Sequence, residues 1–273
     1  MNIPTVFASL FIIAFSFVSA LPVYMSIFQP RSLTCPANVL SCSPAASRVD
    51  ACCVPSYGLV VLAQQWYDGL GPANEFTLHG LWPDTCSGGH GPINGCDLTR
   101  AYPDIENRLQ NYPSTPAGFL QEMNTYWSSY KGDNNAFWAH EWCKHGTCVS
   151  TLSPHCLGNK VKDQDVFSYF KTALALRNNH NLYSGLAAAG IHPGKPTDVD
   201  DMHKAIKTAF GFSVQINCMN RTLKEILMFF NVNSNGTYVL IDAKHAGTCH
   251  GHISYPVKKS TIVVPPTGLP VGP

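Results

Sequence analysis

The chain has 273 residues, of which 45% are hydrophobic, and its formal net charge is +1 at pH 7. This length is compatible with one large domain. The small net charge excludes a polycationic surface that would hold nucleic acid over its whole extent, so a nucleic-acid partner would have to be held at a local site.

The first 20 residues match the pattern of a secretory signal peptide. Residues 6–18 are apolar but too few to span a bilayer, which needs about 20 residues, and Ser19 and Ala20 suit cleavage after Ala20. The preceding "MNIPT" departs from the usual pattern because it contains no Lys or Arg. No later segment is long and apolar enough to hold the protein in a membrane. We therefore predict a protein secreted to the extracellular space or into a vacuolar or lysosomal lumen, with no stable membrane association.

Eleven cysteines are spread through the chain. In an oxidising compartment they are expected to form disulfides rather than to bind a metal. Cys52 and Cys53 are adjacent, and neighbours on a strand point to opposite sides, so each is expected to pair with a distant partner. The odd number leaves at least one thiol unpaired. Acceptor motifs at Asn220 and Asn235 predict N-glycosylation, which agrees with secretion.

The pattern of apolar residues predicts strands first, then helices, then strands. Two buried strands are predicted at 57–66 and 75–82. Helices are predicted at 103–112, 116–130, from Asn135 onward, 165–180 and 198–210, the last with Asp198 as its N-cap. Further strands are predicted at 213–219, 225–232 and 237–243, the last two as a hairpin. This order favours an α+β fold in which a largely antiparallel sheet packs against several helices.

Two segments at the ends are predicted to lie outside this core. Residues 21–34 are expected to form a loosely held leader of the mature chain. Residues 257–273 are rich in Pro and Gly and are predicted to form a tail.

The stretch "WAHEWCKHGTC", residues 138–148, carries an unusual density of chemically active side chains. On a helix with about 100° per residue, one face holds all of its polar groups, which are His140, Glu141, Lys144 and His145. Trp138 and Trp142 would anchor the other side in the core. The alternative is a solvated charged face with no special function.

A catalytic zinc ion is a possible use of this stretch, but the spacing argues against it. Zinc metalloproteases need H-E-x-x-H, whereas the sequence has H-E-x-x-x-H from His140 to His145. The extra residue turns the second ring roughly 140° away from the first. A nucleophilic Cys143 is the second alternative. It lies off the polar face, badly placed for activation by His145, and is expected to be a buried, inert thiol.

The remaining interpretation is proton transfer around an anion. Histidines titrate near neutrality, so one can accept a proton while another donates one. A lysine and a protonated histidine can stabilise negative charge on phosphate oxygens. Such a set suits cleavage of a phosphodiester by a neighbouring hydroxyl, provided that a second histidine reaches the site from elsewhere in the chain.

The stretch "FTLHGLWPD", residues 76–84, supplies such a histidine. His79 lies in an apolar strand, where a lone histidine is often a hydrogen-bonded core residue. Trp82 and Asp84 follow it, and they could stack on a nucleobase and accept a hydrogen bond from an exocyclic amine. Core packing is the alternative role for Trp82.

The segments "FTLHGLWP" and "HEWCKHGTC" resemble the two active-site segments of the ribonuclease T2 family of acid endoribonucleases. The resemblance covers about residues 35–256, which we predict to form one catalytic domain. It implies an α+β fold, no metal or other cofactor, and cleavage of RNA. We predict a monomer that acts on single-stranded RNA. Cleavage would pass through a 2′,3′-cyclic phosphate to 3′-phosphate ends, and DNA would not be cut because it lacks the 2′-hydroxyl.

The resemblance also implies a role for each matching residue. His145 resembles the general base and His79 the general acid. His140, Glu141 and Lys144 resemble the residues of the family that bind the phosphate and stabilise its transition state. Trp82 and Asp84 match positions of the family's first base site. Gln65 and Phe137 match positions of its second base site. His90 stands where many fungal relatives carry an aromatic residue of the first base site.

The cysteines resemble those of the fungal branch of the family. The implied pairs are Cys35–Cys53, Cys42–Cys86, Cys52–Cys156, Cys96–Cys148 and Cys218–Cys249. This pairing leaves Cys143 as the odd thiol.

Two other functions remain open from the sequence. One is a catalytically inactive relative that binds RNA or a protein, although both histidines and their polar neighbours are present. The other is a metal hydrolase that uses His245, His250 and His252, of which the last two would share a face of a strand. The nuclease hypothesis requires that His79 face His145 across a gap about one phosphate wide.

Overall fold

The computed structural model describes residues 34–158 and 161–259. The predicted signal peptide at 1–20 and the leader up to residue 33 lie outside the described residues, as does the tail from residue 260 onward. Within the described part of the chain, no helix is both long and apolar enough to cross a bilayer.

The helices occupy the middle of the chain, as predicted. They are α1 (Ile105–Asn111), α2 (Phe119–Tyr126), α3 (Asn134–Lys144), α4 (Gln164–Asn179), α5 (Leu182–Ala188) and α6 (Val199–Phe210). The Asp198 side chain caps α6 by accepting a hydrogen bond from the backbone of Asp200. Helix α5, which has seven residues, was not predicted.

The described residues form one seven-stranded sheet. Its strands are β1 (Leu59–Gln65), β2 (Thr77–Asp84), β3 (Lys195–Asp198), β4 (Gln215–Met219), β5 (Thr222–Val232), β6 (Tyr238–Ile241) and β7 (His252–Tyr255). The order is β2-β1-β5-β7-β3, and β4 and β6 also pair with the long strand β5. All pairs are antiparallel except β5 with β7, so the predicted α+β fold with a largely antiparallel sheet is confirmed.

The two faces of the sheet have different environments. On one face, alternate residues of β1 and β5 such as Leu62 and Met228 are fully buried with the helices in the main core. Opposite-facing neighbours such as Val61 and Ala63 form a second, smaller apolar cluster, against which Trp82 packs. Because side chains alternate along a strand, residues of β1, β2 and β5 on this second face can reach a common site.

Five disulfides cross-link the chain, and they are the five pairs that the resemblance implies. Cys52 and Cys53 do pair with distant partners, at Cys156 and Cys35. They lie in a turn and not on a strand, so the geometric reason given for their separate partners was wrong.

The segment after β7 packs on the loop between β1 and β2. The ammonium group of Lys258 is buried, lies over the ring of Trp66, and donates hydrogen bonds to the carbonyl oxygens of Leu70 and Glu75. The Pro256 carbonyl accepts a hydrogen bond from the Trp66 indole. The first residues of the predicted tail are therefore part of the packed structure, because a long side chain there finds partners distant in sequence.

Candidate active site

His79 is placed by a β-bulge. Along the pair of β1 and β2, Ala63 faces Gly80 and Gln64 faces Leu78, so His79 has no partner on the neighbouring strand. Its carbonyl oxygen instead accepts a hydrogen bond from the Trp127 indole at 3.0 Å. A bulge turns the side chain of its extra residue away from the regular alternation, and such bulges are common beside active sites.

The imidazole of His79 is held by an acidic residue that the sequence analysis missed. Its Nδ1 lies 3.0 Å from Oε2 of Glu225 on β5. Glu225 is held in turn by Asn217 of β4, whose amide donates to Oε1 at 3.2 Å. Because a carboxylate only accepts, His79 carries a proton on Nδ1, and Nε2 remains for a ligand. Nothing in the local sequence around Glu225 could have shown this partner, which is 146 residues away.

Helix α3 carries the second group of predicted residues. Its N-terminus is capped by Asp133, which accepts a hydrogen bond from the backbone of Ala136. Trp138 and Trp142 are fully buried, as predicted, and anchor the helix in the core. The helix ends at Lys144, and the backbone of His145 still donates to the carbonyl of Glu141. His145 therefore takes its position from the helix end rather than from its interior.

Trp82 contacts both predicted catalytic histidines. Its ring packs edge-on against that of His79, with centroids 4.9 Å apart, and stacks on that of His145 at 5.4 Å. The imidazoles of the strand and of the helix thus contact the same indole. The indole nitrogen donates a hydrogen bond to Oε2 of Glu141 at 3.0 Å.

Glu141 is almost completely buried, at 1% exposure, so it is not part of a solvated charged face. Its Oε1 faces Nε2 of His140 at 4.0 Å. Burial raises the pKa of Glu141 to about 7, although the charge of His79 and the hydrogen bond from Trp82 act in the opposite direction.

The absence of a side chain at Gly80 makes this arrangement possible. A Cβ atom there would overlap with the carboxylate of Glu141 and with the indole nitrogen of Trp82. Its backbone is not in the left-handed region, so the requirement for glycine is one of space alone.

The two predicted catalytic histidines have pKa values shifted in opposite directions. Burial alone would lower the pKa of His79, but its hydrogen bond to Glu225 and the negative charges of Glu141 and Glu225 leave it raised. Burial, together with the positive charges of Lys144 and the nearby histidines, lowers the pKa of His145 to about 3. Over much of the acidic range the first imidazole is a proton donor and the second is a proton acceptor.

His140 and Lys144 provide positive charge at the open side of the site. The side chain of His140 is 59% exposed, and its pKa is lowered by partial burial and by the charge of Lys144. His140 therefore becomes cationic only in acidic solution. An anion bound between these two side chains would meet more positive charge as the pH falls.

The residues predicted for base recognition have different environments. The carboxyl group of Asp84 is buried, which raises its pKa, and its Oδ1 lies 3.3 Å from Nδ1 of the exposed His90. Phe137 is half-buried, with its ring 6.1 Å from that of His79. Gln65 is buried, and its amide donates to the carbonyl of Leu78 at 3.0 Å.

The free thiol differs from its prediction. Cys143 is partly exposed, with Sγ near the carbonyl of Asn94, so the expectation of a buried thiol was wrong.

Across the described ranges, the one group of three close metal-ligating side chains consists of Cys52, His155 and Cys156. Both of its sulfurs are in a disulfide, and the group does not include His250 or His252.

The fold and the site together define a disulfide-bonded α+β protein in which two histidines with oppositely shifted pKa values contact one indole. The family model described as the ribonuclease T2 family matches residues 52–242. The chain therefore belongs to the ribonuclease T2 family, as the resemblance of its motifs indicated.

Individual relatives cover most of the chain. It is 44% identical over 225 residues to ribonuclease Rh of Rhizopus niveus, a match that covers 82% of this chain and 93% of that protein. It is 35% identical over 240 residues to ribonuclease T2 of Aspergillus oryzae, with 83% and 85% covered.

Solved structures agree with this result. Actibind, a T2 ribonuclease, superposes with a TM-score of 0.72 at 29% identity, and the match covers 82% of this chain and 97% of Actibind. RNase NT, solved in complex with 5′-AMP, superposes with a TM-score of 0.55 at 25% identity, with 73% and 98% covered.

Proposed function

We propose that the protein is an endoribonuclease that cleaves single-stranded RNA by transphosphorylation without a metal ion. The observation that carries this proposal is the pair of imidazoles at His79 and His145. They contact one indole, and their pKa values are shifted in opposite directions. A proton donor and a proton acceptor that coexist at acidic pH are what this reaction requires.

In the first step the 2′-hydroxyl of the RNA attacks the adjacent phosphorus atom. Neutral His145 takes the proton of that hydroxyl, and protonated His79 gives a proton to the departing 5′ oxygen. One P–O bond forms and another breaks, which leaves a 2′,3′-cyclic phosphate. The substrate supplies its own positioned nucleophile, so the protein contributes acid–base help of typically 10²–10⁴ in rate and stabilisation of charge.

We assign the stabilisation of the negative charge that develops on the phosphate oxygens to three side chains of α3. His140 and Lys144 provide positive charge, and Glu141 holds the neighbouring groups in place through Trp82 and His140. In the second step the histidines exchange roles, and water opens the cyclic phosphate to a 3′-phosphate.

The arrangement of the flanking residues supports a proposal for base recognition. We assign the first base to Trp82 and Asp84, whose carboxylate is paired with His90, and the second to Phe137 and Gln65. DNA is not a substrate under this mechanism because it lacks the attacking hydroxyl.

We further propose that the protein is a secreted monomer, glycosylated at Asn220 and Asn235. The signal peptide would occupy residues 1–20 and the leader residues 21–34. One domain would span the predicted range 35–256 together with the packed residues that follow it as far as Lys258, and the rest of the predicted tail would follow up to residue 273. The five disulfides and the residues of the two acceptor motifs, which lie on turns or at strand ends, support this proposal.

The direct test is to digest RNA with the purified protein in excess EDTA and to identify the product ends. We expect full activity, 2′,3′-cyclic phosphates that convert to 3′-phosphates, and no cleavage of DNA of the same sequence. His145→Ala and His79→Ala should each lower the rate by at least about 100-fold while the circular dichroism spectrum is unchanged. Binding of RNA without cleavage would instead identify an inactive relative, and loss of activity in EDTA would favour a metal hydrolase.

A further inference from the structure

Two side-chain amides on β4 continue the hydrogen bond of His79 across the sheet. Oε1 of Glu225, the oxygen that does not face His79, accepts a hydrogen bond from the amide of Asn217 at 3.2 Å. Oδ1 of Asn217 accepts in turn from the amide of Gln215 at 3.2 Å. Gln215 and Asn217, called the amide pair below, therefore stand at the far end of a chain of hydrogen bonds that leads to the proposed acid.

The direction of each amide follows from the charge of Glu225. An ionised carboxylate has no hydrogen to donate, so Asn217 must turn its NH2 group toward Glu225. The carbonyl oxygen of Asn217 then faces the NH2 group of Gln215, which supplies the donor that this oxygen needs. A reversed Asn217 amide would place two acceptors together on one side and two donors on the other. Gln215 thus fixes the orientation in which Asn217 donates to Glu225.

The backbone of β4 holds the amide pair in place. Asn217 lies directly opposite Glu225 in the antiparallel pair of β4 and β5, and Gln215 is on the same face two residues earlier. Ile216 between them is fully buried, and its backbone donates to the carbonyl of Ala246 at 2.8 Å. The pair is therefore in position before a substrate binds, as a supporting group for a catalytic side chain must be.

The carboxylate that receives this support is only partly enclosed. The side chain of Glu225 is 15% exposed, so without Asn217 it is free to turn toward water. Burial alone would raise the pKa of Glu225, but the hydrogen bond and charge of His79 and the hydrogen bond from Asn217 leave it lowered. The charge of Lys224 acts in the same direction. Asn217 thus favours the ionised form of the group that holds His79.

Several charged or titratable groups act on His79 or respond to its charge. They come from β5 and from α3 with the residue that follows it, and they are Glu225, Lys224, His140, Glu141 and His145. Glu225 is hydrogen-bonded to the imidazole itself, so a change in its position acts directly on the proton of Nδ1.

We propose that Asn217 and Gln215 are positioning residues for the acid of the reaction. They hold Glu225 ionised and directed at Nδ1 of His79, which keeps the imidazole protonated and leaves Nε2 for the departing 5′ oxygen. This inference rests on the proposed function, because the assignment of His79 as the acid comes from that mechanism.

The first measurement is independent of catalysis. The titration of His79 is followed by NMR in protein labelled with ¹⁵N-histidine, and His79→Asn assigns its signal. Asn217→Leu removes the donor at nearly constant size. We expect the pKa of His79 to fall by roughly 0.5 pH units or more, because Glu225 is no longer held against it. In alkaline solution, the fraction of neutral His79 with its proton on Nδ1 should also fall.

Two further variants complete this set. Gln215→Leu leaves Asn217 in place but removes the group that orients it, so the pKa of His79 should fall by less than in Asn217→Leu. This variant carries the test if Asn217→Leu does not fold. Asn231→Leu is the matched control, because Asn231 is a half-buried asparagine six residues further along β5. It should leave the titration of His79 unchanged.

Kinetics then connect the amide pair to the reaction. The alkaline limb of the pH profile of kcat/KM should move to lower pH in Asn217→Leu by the same amount as the pKa of His79. The acidic limb, assigned to His145, should stay in place. A lower rate at every pH with neither limb shifted would show a merely structural role and overturn the inference.

The remaining outcomes separate the two proposals. If the wild type cleaves RNA but the pKa of His79 is unchanged in both leucine variants, the positioning role is wrong and the nuclease proposal stands. A rise in that pKa would also overturn the positioning role, because it would show that Asn217 acts only through the positive end of its dipole. If the wild type cleaves no RNA, the proposed function itself fails, whatever the titration shows.

Discussion

The indole of Trp82 donates a hydrogen bond to the buried carboxyl group of Glu141, and this contact joins strand β2 to helix α3 at the centre of the candidate active site. The same ring contacts the imidazoles of His79 and His145. Trp82 was predicted either to stack on a base or to pack in the core. In the structure it is half-buried and orders the polar groups around it, so a positioning role is compatible with either interpretation.

Replacement of this indole tests its positioning role. Trp82→Phe keeps an aromatic ring beside the histidines but leaves the buried Oε2 of Glu141 without its donor, which typically costs about 1–3 kcal/mol. We expect kcat to fall by about tenfold or more, with a smaller change in the thermal midpoint. Steady-state kinetics on a dinucleotide together with thermal unfolding will check this. An unchanged kcat would show that the hydrogen bond has no part in catalysis.

The pH dependence of cleavage follows from the opposite pKa shifts. His145 must be neutral, and its pKa of about 3 sets the acidic limb of the profile. His79 must be protonated, and its raised pKa sets an alkaline limb, to which the loss of charge on His140 adds. We expect a bell-shaped profile of kcat/KM with an acidic optimum. A rate that rises steadily to about pH 9 would contradict the assigned roles.

Glu225 can be tested separately through the same profile. Its negative charge and its hydrogen bond raise the pKa of His79, so Glu225→Gln should move the alkaline limb to lower pH. The acidic limb, which belongs to His145, should not move. Glu106→Gln, at an exposed acid on α1, is the control and should leave both limbs in place. A merely structural role of Glu225 would lower the rate without shifting either limb.

Gly80 is expected to tolerate no side chain. In Gly80→Ala the added methyl group would occupy the space of the Glu141 carboxylate and of the Trp82 indole nitrogen. Both must shift, so we expect activity to fall by at least about tenfold, since small displacements of positioned groups are costly to catalysis. Gly91→Ala is the matched control, because the nearest atoms to its added carbon would be 3.7 Å away. Equal activity of both variants would refute the steric argument.

The segment after β7 can be tested by its effect on stability. Lys258→Met removes the donor to two carbonyl oxygens, for which we expect a loss of about 1–3 kcal/mol in the free energy of unfolding. Lys259→Met, at an exposed neighbour, should change little. Urea unfolding of both variants at pH 7 measures the difference.

Lys258 should also make stability depend on pH. Burial lowers its pKa in the folded protein to about 7, with the charge of Arg177 acting in the same direction. The unfolded chain therefore binds more protons than the folded one between about pH 7 and the ordinary lysine value of 10.5. The stability of the wild type relative to Lys258→Met should rise with pH through this window. A constant difference from pH 7 to about 9 would show that the lysine stays charged when buried.

Much of the fold and part of the site could be predicted from local sequence. The helical periods around 165–180 and 198–210 and the apolar runs of β1 and β2 are properties of short segments. The structure has these elements at nearly the predicted bounds. The strands β3 and β7 were missed because each has only four residues, and Lys195–Asp198 carries little apolar signal. Such strands are defined by their pairing and not by their composition.

The sequence by itself determined the family and the chemical character of the site, because the residues of each motif lie close together and their spacing sets their relative positions. Only the tertiary structure decided that the pKa of His79 is raised and that of His145 is lowered. The pKa of His79 depends on Glu225, and that of His145 depends on burial and on charges from several elements. Burial and distant charges arise only when separate segments pack together, so no local pattern could have contained them.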